Sequence, residues 1–385
     1  MIPISKLGVD EKGDDFLKKT IVRKADHLRL GITESVESNI DPGFNDVKLI
    51  HISLPEIDLA EVDVSVIFLN HHLQAPLVIE SITGGTLQAT RINRNLAEAA
   101  EEIGIAIGVG SQRAALEDEK MIETYNIVRD KAPSVPVLAN LGAPQLLGEQ
   151  AEEYAKEAVD MLNADALLIH LNALQEAVQP EGQTNFKGVI RMISKIVNEI
   201  NVPVIVKETG AGISHEVAEC VKSAGVSIID VAGLGGTSWA AVEYYRASRA
   251  GKDQKARLGK TFWDWGIPTV VSLVEVSSIS GIKAIASGGV RTGIDVAKAL
   301  ALGADLTGMA LPLLKPAMKD SNQVKKILRN MIEELKTAMF LTGAVDVNEM
   351  RKVPLVITGM TREWLTQRGF DIQSYSRRCL RPMPR

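Results

Sequence analysis

The stretch "ALLIHLNALQEAVQPEGQTNF", residues 166–186, combines two features that decide the fold: an apolar run and a set of polar residues directly after it. Its first letters, "ALLI", form an apolar run of the kind that a parallel strand covered on both faces requires. The run is followed by polar groups that a hydrophobic core does not need: His170, Asn172, Gln175, Glu176 and Gln179. The stretch therefore predicts a buried strand with a functional site at its carboxyl end.

Seven further apolar runs of this kind lie between residues 76 and 314. They are "PLVIESITGG", "IAIGVG", "PVLANLG", "PVIVKETG", "IIDVAGLGG", "IKAIASGGV" and "LTGMALPLL". Amphipathic helical patterns separate them, and their starts recur at roughly the spacing of one βα unit, about 25 to 35 residues. Eight such units predict a (β/α)8 TIM barrel rather than an open doubly wound sheet. Thr292 and Asp295 have the spacing of a capping box at the start of the seventh helix.

The barrel leaves two flanking segments and one insertion. Residues 1–75 are expected to form an N-terminal arm and a hairpin, "VDVSVIFLNHHLQAP", that covers the bottom of the barrel. Residues 76–343 would be the catalytic barrel, with an insertion after the sixth strand at about 237–268, and residues 344–385 a C-terminal tail packed on it.

Composition narrows the class of protein. The chain has 385 residues, 45% of them hydrophobic, and a net charge of −5, which disfavours general nucleic-acid binding. Cys220 and Cys379 lie far apart and match no metal or redox spacing, so a reducing cytoplasm is the expected location. The N-terminal letters do not resemble a signal peptide, and no apolar run approaches the roughly 20 residues that span a bilayer.

Polar residues follow most of the predicted strands. Because the chemistry of such barrels collects at the carboxyl ends of the strands, these residues are expected to surround one site. In strand order they are Thr83, Gly84, Gly85, Ser111, Gln112, Arg113, Asn140, His170, Asn172, Lys207, Glu208 and Gly235 to Trp239. Any one of them alone would most simply be structural, but recurrence on six successive strand ends favours function.

Two groups of residues suggest anion binding. The letters "ASGGVRTG", 286–293, and "GMA", 308–310, place glycines and Arg291 in loops seven and eight, a frequent phosphate site in these barrels. A second cationic group consists of Arg113 and, near the N-terminus, Arg23, Lys24 and His27, which would share a face if "VRKADHL" is helical. Taken alone, that helix face would most simply be solvated.

At this point the motifs resemble those of a known family, the type 2 isopentenyl-diphosphate isomerases, which are FMN-dependent barrels. The resemblance covers nearly the whole chain, in order: "RKADHL", "ITGGT", "VGSQR", "ANLGAPQ", "HLNALQE", "QPEG", "VKETGAGIS", "GGTSWA", "WGIPT", "ASGGVRTG" and "GADLTGMA". The combination of "HLN-x-LQE", "SQR" and "RK-x-x-H" is the specific part. Ile82, Ala173 and His215 depart from the family pattern, and they bear at most on details of the substrate pocket.

The resemblance implies a set of ligands and the residues that hold them. FMN would contact Thr83, Gly84, Gly85, Ser111, Asn140, Lys207, Thr237, Gly288, Gly289, Arg291 and Ala310, with Lys207 at the N1/O2 edge of the ring. The substrate diphosphate would be gripped by Arg23, Lys24, His27, Arg113, His170, Asn172 and Gln175. Glu176 would hold a magnesium ion that bridges the diphosphate, because Mg²⁺ prefers one or two carboxylates together with phosphate oxygens and water.

The implied reaction interconverts isopentenyl and dimethylallyl diphosphate, adding a proton at C4 and removing one at C2. No side chain in "HLNALQE" is an obvious acid for an alkene, so reduced FMN, kept reduced by NADPH, is the expected proton donor and acceptor. Gln175, Lys207 and His170 are the catalytic candidates. The family assembles as homo-oligomers, so a tetramer or octamer is expected, with no nucleic acid or membrane as partner.

Three other classes of protein are alternatives. An FMN-dependent 2-hydroxyacid oxidase or dehydrogenase would share the barrel, but it needs a His base near strand seven, and "ASGGVRTG" has none. An enzyme like inosine-monophosphate dehydrogenase needs a nucleophilic cysteine in a loop, whereas Cys220 is predicted in a helix and Cys379 in the tail. A catalytically dead flavin-binding barrel stays open on sequence alone.

Overall fold

The computed structural model describes residues 11–379, so the ends of the predicted arm and tail lie outside the described residues. Eight parallel strands close into a barrel in which each strand pairs with the barrel strands before and after it in the sequence, and the last strand pairs with the first. They are β4 Leu77–Ile79, β5 Ala106–Gly108, β6 Val137–Gly142, β7 Ala166–Leu171, β8 Val204–Glu208, β9 Ile228–Asp230, β10 Lys283–Ser287 and β11 Leu306–Met309. The prediction of a (β/α)8 barrel is confirmed, and each of the eight apolar runs supplies one strand.

The register closes the barrel without a gap. Thr307 of β11 lies opposite Leu77 of β4, and His170 of β7 lies opposite Lys207 of β8. Most barrel-strand residues are buried, as expected for strands with side chains packed inside the barrel and helices outside it. The second of these pairs places two predicted site residues side by side at the top of the barrel.

In the described part of the chain, seventeen helices surround or flank the strands. They are α1 Glu11–Thr33, α2 Leu87–Ile103, α3 Arg113–Glu117, α4 Glu123–Lys131, α5 Ala151–Leu162, α6 Ala173–Val178, α7 Val189–Glu199, α8 His215–Ser223, α9 Trp239–Arg249, α10 Asp253–Thr261, α11 Thr269–Ser277, α12 Gly293–Leu302, α13 Leu311–Lys319, α14 Ser321–Leu341, α15 Val347–Met350, α16 Gly359–Gln367 and α17 Gln373–Ser376. The predicted capping box at Thr292 and Asp295 is confirmed at the start of α12. Helices α9 and α10 occupy the long gap after the sixth barrel strand.

A hairpin fills one end of the barrel. Strands β2 (Val66–Phe68) and β3 (His71–Leu73) pair antiparallel, and Phe68 and Leu73 pack with barrel residues such as Ala106 and Ala166. The first residues of β5 and β7 are part of this cluster, so the hairpin lies at the bottom. Because the apolar side chains of the hairpin close the bottom of the barrel, the cleft opens at the opposite end, where the strands have their carboxyl ends.

The chain after the barrel returns to the N-terminal segment. Strand β12 (Leu355–Ile357) pairs antiparallel with β1 (Val47–Leu49), and α16 contacts α11. Arg368 donates to the buried carboxylate of Glu275 at 3.1 Å, which ties the tail to the barrel. Within residues 11–379 no helix has both the length and the apolar character needed to cross a bilayer.

Candidate functional site

A deep cleft opens at the carboxyl ends of the barrel strands, with about 1650 Å³ of empty space including its open mouth. Of the predicted polar strand-end residues, Gln112, Glu208, Gly235 and Ser238 do not line it, whereas every residue that the resemblance assigns to a ligand does, with one exception. That exception is Gly85, whose amide donates to Thr124 Oγ1 at 2.8 Å and where a side chain would overlap Ala114. Gly85 therefore shapes the wall behind the cleft and does not face it.

Helix α1 brings cations across the mouth of the cleft. Lys24 and His27 are three residues apart and so share a face of the helix. Lys24 Nζ donates to the Ser111 carbonyl at 2.6 Å and to Tyr125 Oη at 3.0 Å. Burial, and then the nearby charge of Arg23, lower the pKa of Lys24 to about 7. The helix face that could have been solvated is instead turned inward.

Two arginines add to this cationic wall. Arg113, at the start of α3, is buried and donates to Glu117 Oε1 at 2.7 Å and to Gln183 Oε1 at 3.4 Å. Burial, and then the charge of Arg113, lower the pKa of Arg23. Cations gathered at one place in a chain of net negative charge indicate a site for an anionic ligand.

The tautomer of His170 is fixed by its neighbours. Asn140 Nδ2 donates to the Val109 carbonyl, so Asn140 Oδ1 is the acceptor that lies 2.8 Å from His170 Nδ1. His170 Nδ1 therefore carries the proton and leaves Nε2 without one. Burial, and then the charge of Lys207, lower the pKa of His170 to about 3. In the protein alone, His170 is a neutral ring.

The position of Glu176 after the fourth barrel strand predicts a loop, but the residue lies in the short helix α6. It is 5% exposed, and Asn172 Nδ2 donates to its Oε1 at 2.9 Å. Gln179 Nε2 and the Gln183 amide donate to its Oε2 at 2.8 and 2.6 Å. The carboxylate thus holds the chain after α6 in place against the cleft.

The donor set around Glu176 fits one ligand position for a hard cation. Among the described residues no cluster of three or more His, Cys, Asp or Glu side chains is arranged to hold a metal ion. Glu176 Oε1 accepts one hydrogen bond, and the Oδ1 of Asn172 is buried with no hydrogen-bond partner. Such a pair of oxygens suits Mg²⁺ only if a ligand supplies most of the coordination, as a diphosphate does.

A charged cluster lies at the floor of the cleft. Lys207 Nζ is 2.7 Å from Asp230 Oδ2 and 3.1 Å from Glu80 Oε2, and Ser287 Oγ donates to Asp230 Oδ1 at 2.6 Å. Burial opposes the charge of Lys207, but Asp230 and Glu80 outweigh it and raise the pKa of Lys207. Only Lys207 was predicted. Glu80 and Asp230 had a signal, since each is an acid inside an apolar strand run.

The loops after β9 and β10 form a cradle of glycine backbone. Gly288 and Gly289 have φ of +96° and +79°, and a side chain at Gly288 would overlap the Gly233 carbonyl. A side chain at Gly236 would overlap the Gly289 amide. Within residues 11–379 the amides of Gly236 and Gly289 donate to no other group. Unpaired backbone amides in such a tight concavity are typical of a phosphate site.

An acidic residue that sequence reasoning missed connects several cleft residues. Glu243 of α9 is fully buried, and its Oε1 lies 2.7 Å from His27 Nε2 and 3.5 Å from Gln175 Nε2. Arg246, one turn further along α9, pairs with its other oxygen. Burial opposes ionisation, but His27 and Arg246 prevail and lower the pKa of Glu243. Its only sequence signal was an acid in the insertion.

The remaining predicted residues lie at the edge of the cradle. Arg291 pairs with Glu37 and donates to the Val290 carbonyl at 2.8 Å, so its charge is shared with an acid that was not predicted. Thr237 makes a bridge to Glu37, and Ala310 lies at the start of α13. The cradle and the buried Lys207 lie in the same cleft, so one elongated ligand with a phosphate end can reach both.

The fold and the cleft define a class: this is a (β/α)8 barrel whose cleft combines a glycine cradle of the kind that suits a phosphate with a buried lysine. Residues 170–356 match the family model of the FMN-dependent dehydrogenases. Curated relatives named isopentenyl-diphosphate delta-isomerase are similar over nearly the whole chain. Those of Pyrococcus abyssi and Thermococcus kodakarensis are 50% and 52% identical, covering 94% and 93% of this chain and 98% and 96% of their own. The chain belongs to the isopentenyl-diphosphate delta-isomerase family, in its FMN-dependent form.

Solved structures support the architecture. A lactate oxidase of Pediococcus acidilactici matches with a TM-score of 0.63 and 17% identity, covering 90% of this chain and 94% of its own. A mandelate oxidase matches with a TM-score of 0.60 and 16% identity, covering 89% of this chain and 98% of its own. At such low identity the likeness concerns the fold alone.

Proposed function

We propose that this protein interconverts isopentenyl diphosphate and dimethylallyl diphosphate with the aid of reduced FMN. The observation that carries the proposal is the pairing, in one cleft, of a cationic wall with a separate glycine cradle. The wall comprises Arg23, Lys24 and Arg113, the imidazoles of His27 and His170 lie beside them, and the cradle lies around Gly288. Two anion sites in one cleft fit a diphosphate substrate together with a cofactor that has a phosphate of its own.

The cofactor side of the cleft fits FMN. We assign the phosphate end to Thr237, Gly288, Gly289, Arg291 and Ala310, and the ring to Thr83, Gly84, Ser111, Asn140 and Lys207. When bound and reduced, FMN supplies the acid–base group that no side chain of the cleft provides for an alkene. Lys207 would place its charge beside the ring, and its two carboxylate partners hold its ammonium in one position.

The substrate side is formed by the chain's own residues. Arg23, Lys24 and Arg113 would neutralise the diphosphate, while Asn172 and Gln175 would fix its orientation. His170 is neutral in the protein alone, so a diphosphate oxygen at Nε2 would draw a proton onto the ring. Gln175, which contacts Glu243, is the residue we assign to positioning the reacting end of the substrate.

The finer assignments are part of the same proposal. Glu176 and Asn172 would hold Mg²⁺, which supplies charge neutralisation for the diphosphate. NADPH is the proposed flavin reductant, and a homo-oligomer, tetramer or octamer, in the cytoplasm the proposed state. Residues 1–75, 76–343 and 344–385 are the proposed arm, catalytic barrel and tail.

Two assays on one FMN-loaded preparation test the proposal. With the flavin reduced by dithionite, isopentenyl diphosphate should be converted to dimethylallyl diphosphate. With the flavin oxidised, lactate or mandelate should not be oxidised, because neither β10 nor the loop after it carries a histidine base. Hydroxyacid oxidation without isomerisation would replace this proposal with the oxidase function.

A further inference from the structure

The buried cluster around Lys207 contains more acid than base. Lys207, Glu80 and Asp230 have side chains 9%, 6% and 1% exposed, and both acids contact the one ammonium. With both carboxyls ionised, one positive and two negative charges would leave a net charge of −1 on a buried cluster. An uncompensated buried charge is costly, and two acids that share a site resolve the cost when one of them keeps its proton.

The contacts identify which acid keeps the proton. Asp230 has the shorter contact with Lys207 and also accepts from Ser287 Oγ at 2.6 Å and from the Ala232 amide at 3.3 Å. Glu80 has the longer contact with Lys207, and burial followed by the charge of Asp230 raises its pKa to about 8. Glu80, which has the weaker set of contacts, is therefore the member that is protonated at neutral pH.

The groups that face Glu80 come from the neighbouring strands. Lys207 on β8 and Asp230 on β9 are the charged ones. Strand β11 contributes Gly308, where any side chain would overlap the Glu80 carboxyl, and β10 contributes the hydroxyl of Ser287 through Asp230. What remains to change the ionisation of Glu80 is a charge that a ligand brings close to Lys207.

We propose that Glu80 is a positioning residue for reduced flavin, which keeps its own proton so that the charge of Lys207 stays available to a negatively charged flavin ring. Ionisation of Glu80 at alkaline pH then weakens the hold on reduced flavin relative to oxidised flavin. The inference rests on the proposed binding of FMN and deepens it. Two electrons enter the flavin from the external reductant, and the proton on Glu80 comes from solvent.

The consequence follows from linkage. A negative charge on the ring strengthens proton binding by Glu80, so above about pH 8 the reduced protein holds a proton that the oxidised protein has lost. The midpoint potential of bound FMN should therefore fall more steeply with pH above about pH 8 than it does just below.

The test measures the midpoint potential of bound FMN by spectroelectrochemistry between about pH 6 and about pH 10. Glu80→Gln keeps the shape and stays neutral, so its potential should match the wild type at pH 7, exceed it at alkaline pH, and lack the break near pH 8. Glu208→Gln is the matched control. Glu208 is buried with a pKa raised to about 7, mainly by burial, but it bonds to backbone amides of its own loop. The break near pH 8 should persist in it.

Three results would overturn the inference. They are an unchanged break in Glu80→Gln, a higher potential than wild type already at pH 7, and loss of the break in the Glu208 control alone. If Glu80→Gln does not bind FMN, infrared spectra of the FMN-loaded Glu208→Gln variant decide. A protonated-carboxyl band at pH 7 that disappears on alkaline titration supports the inference, and its absence at pH 7 refutes it. Failure of the wild type to bind FMN would instead refute the proposed function, so the two failures are distinct.

Discussion

Glu176 has a structural role in the fold and a proposed role as a metal ligand. Its carboxylate accepts hydrogen bonds from Asn172, Gln179 and the Gln183 amide, and it faces the cleft where a divalent cation is proposed. A glutamine at this position keeps the volume but replaces one acceptor with a donor. A glutamine that keeps its oxygen at the Oε2 position retains the bonds from Gln179 and Gln183 and removes the charge that faces the cleft.

We predict that Glu176→Gln retains the fold and FMN but loses activity by about 10–100-fold, the typical cost of disturbing a metal's ligand environment. Raised Mg²⁺ should restore part of the activity by mass action. Glu181→Gln is the control, since Glu181 lies five residues after Glu176, pairs with Arg246 and does not line the cleft. Isomerase activity titrated with Mg²⁺ is the measurement. Wild-type activity of Glu176→Gln at low Mg²⁺ would remove Glu176 from the metal site.

We predict that His170 stays neutral in the ligand-free protein from pH 7 down to pH 5, because burial and Lys207 lower its pKa to about 3. Its ring resonances in NMR should not move over that range. The unfolded chain gains this proton near pH 6.5, so the His170 contribution destabilises the fold as pH falls from there towards 3. Substrate should restore titration near neutrality. A normal titration of the His170 ring without substrate would contradict its burial beside Lys207.

At the residue scale, the sequence predicted the basic and amide side chains that line the cleft better than the acids that contact them. His170, Asn172 and Lys207 lie at the carboxyl ends of apolar strand runs, where a polar side chain indicates a site. Glu80, Asp230 and Glu243 act through Lys207, His27 and Gln175, and such pairings depend on three-dimensional contacts. Their spacing in the sequence, over 100 residues in some cases, carries no periodic signal.

Helix α1 carries cations that we propose for substrate binding, and polar contacts tie it to the cleft. Lys24 links it to the loop after β5 and His27 links it to α9. We predict that Lys24→Met raises KM for the diphosphate substrate about 10-fold or more, the loss expected for hydrogen bonds to a charged group. FMN affinity should be unchanged. Hydrogen exchange across α1 should become faster, because the anchor to Ser111 is lost.

The control on the same helix is Arg29→Gln, which removes an exposed pair with Asp26. Exposed pairs contribute about 0–1 kcal/mol, so exchange and KM should stay close to wild type. If both variants affected KM equally, a general loss of helix charge would explain the effect and the anchoring role of Lys24 would be wrong.

The glycine cradle makes its own prediction. Gly288→Ala should cost about 1–3 kcal/mol of unfolding free energy from its backbone conformation alone, and more from overlap with the Gly233 carbonyl. FMN affinity should fall strongly, because the loop must shift. Gly281→Ala is the matched control, with φ of +82° and nothing within 4 Å of the added carbon. Thermal unfolding and flavin titration of both variants are the measurements. Equal FMN affinities in the two variants would exclude the loop at Gly288 from the phosphate site.

At the element scale, the apolar runs sufficed for the eight barrel strands because a strand buried on both faces leaves a continuous signal. The pairing of β12 with β1 was not predictable. Each of those strands has three residues, and their partners are about 300 residues apart, so neither pattern nor turn chemistry links them. Helix α6 was missed for a similar reason, since its six residues are too few to show a period.

At the scale of the whole molecule, the fold alone does not select the reaction. The same barrel occurs in a lactate oxidase and a mandelate oxidase at 17% and 16% identity. What distinguishes this chain from them is its sequence, which is 50% identical to the isopentenyl-diphosphate delta-isomerase of Pyrococcus abyssi. The proposed isomerisation therefore leaves the redox state of the flavin unchanged.

The most direct test loads the protein with FMN, reduces the flavin once with a single equivalent of dithionite under anaerobic conditions, and adds a large excess of isopentenyl diphosphate. The product is followed by NMR and the flavin by its absorbance. We predict many turnovers to dimethylallyl diphosphate while the flavin stays reduced and no further reductant is consumed. Product formation limited to one equivalent per flavin, or matched by reoxidation of the flavin, would contradict the central claim.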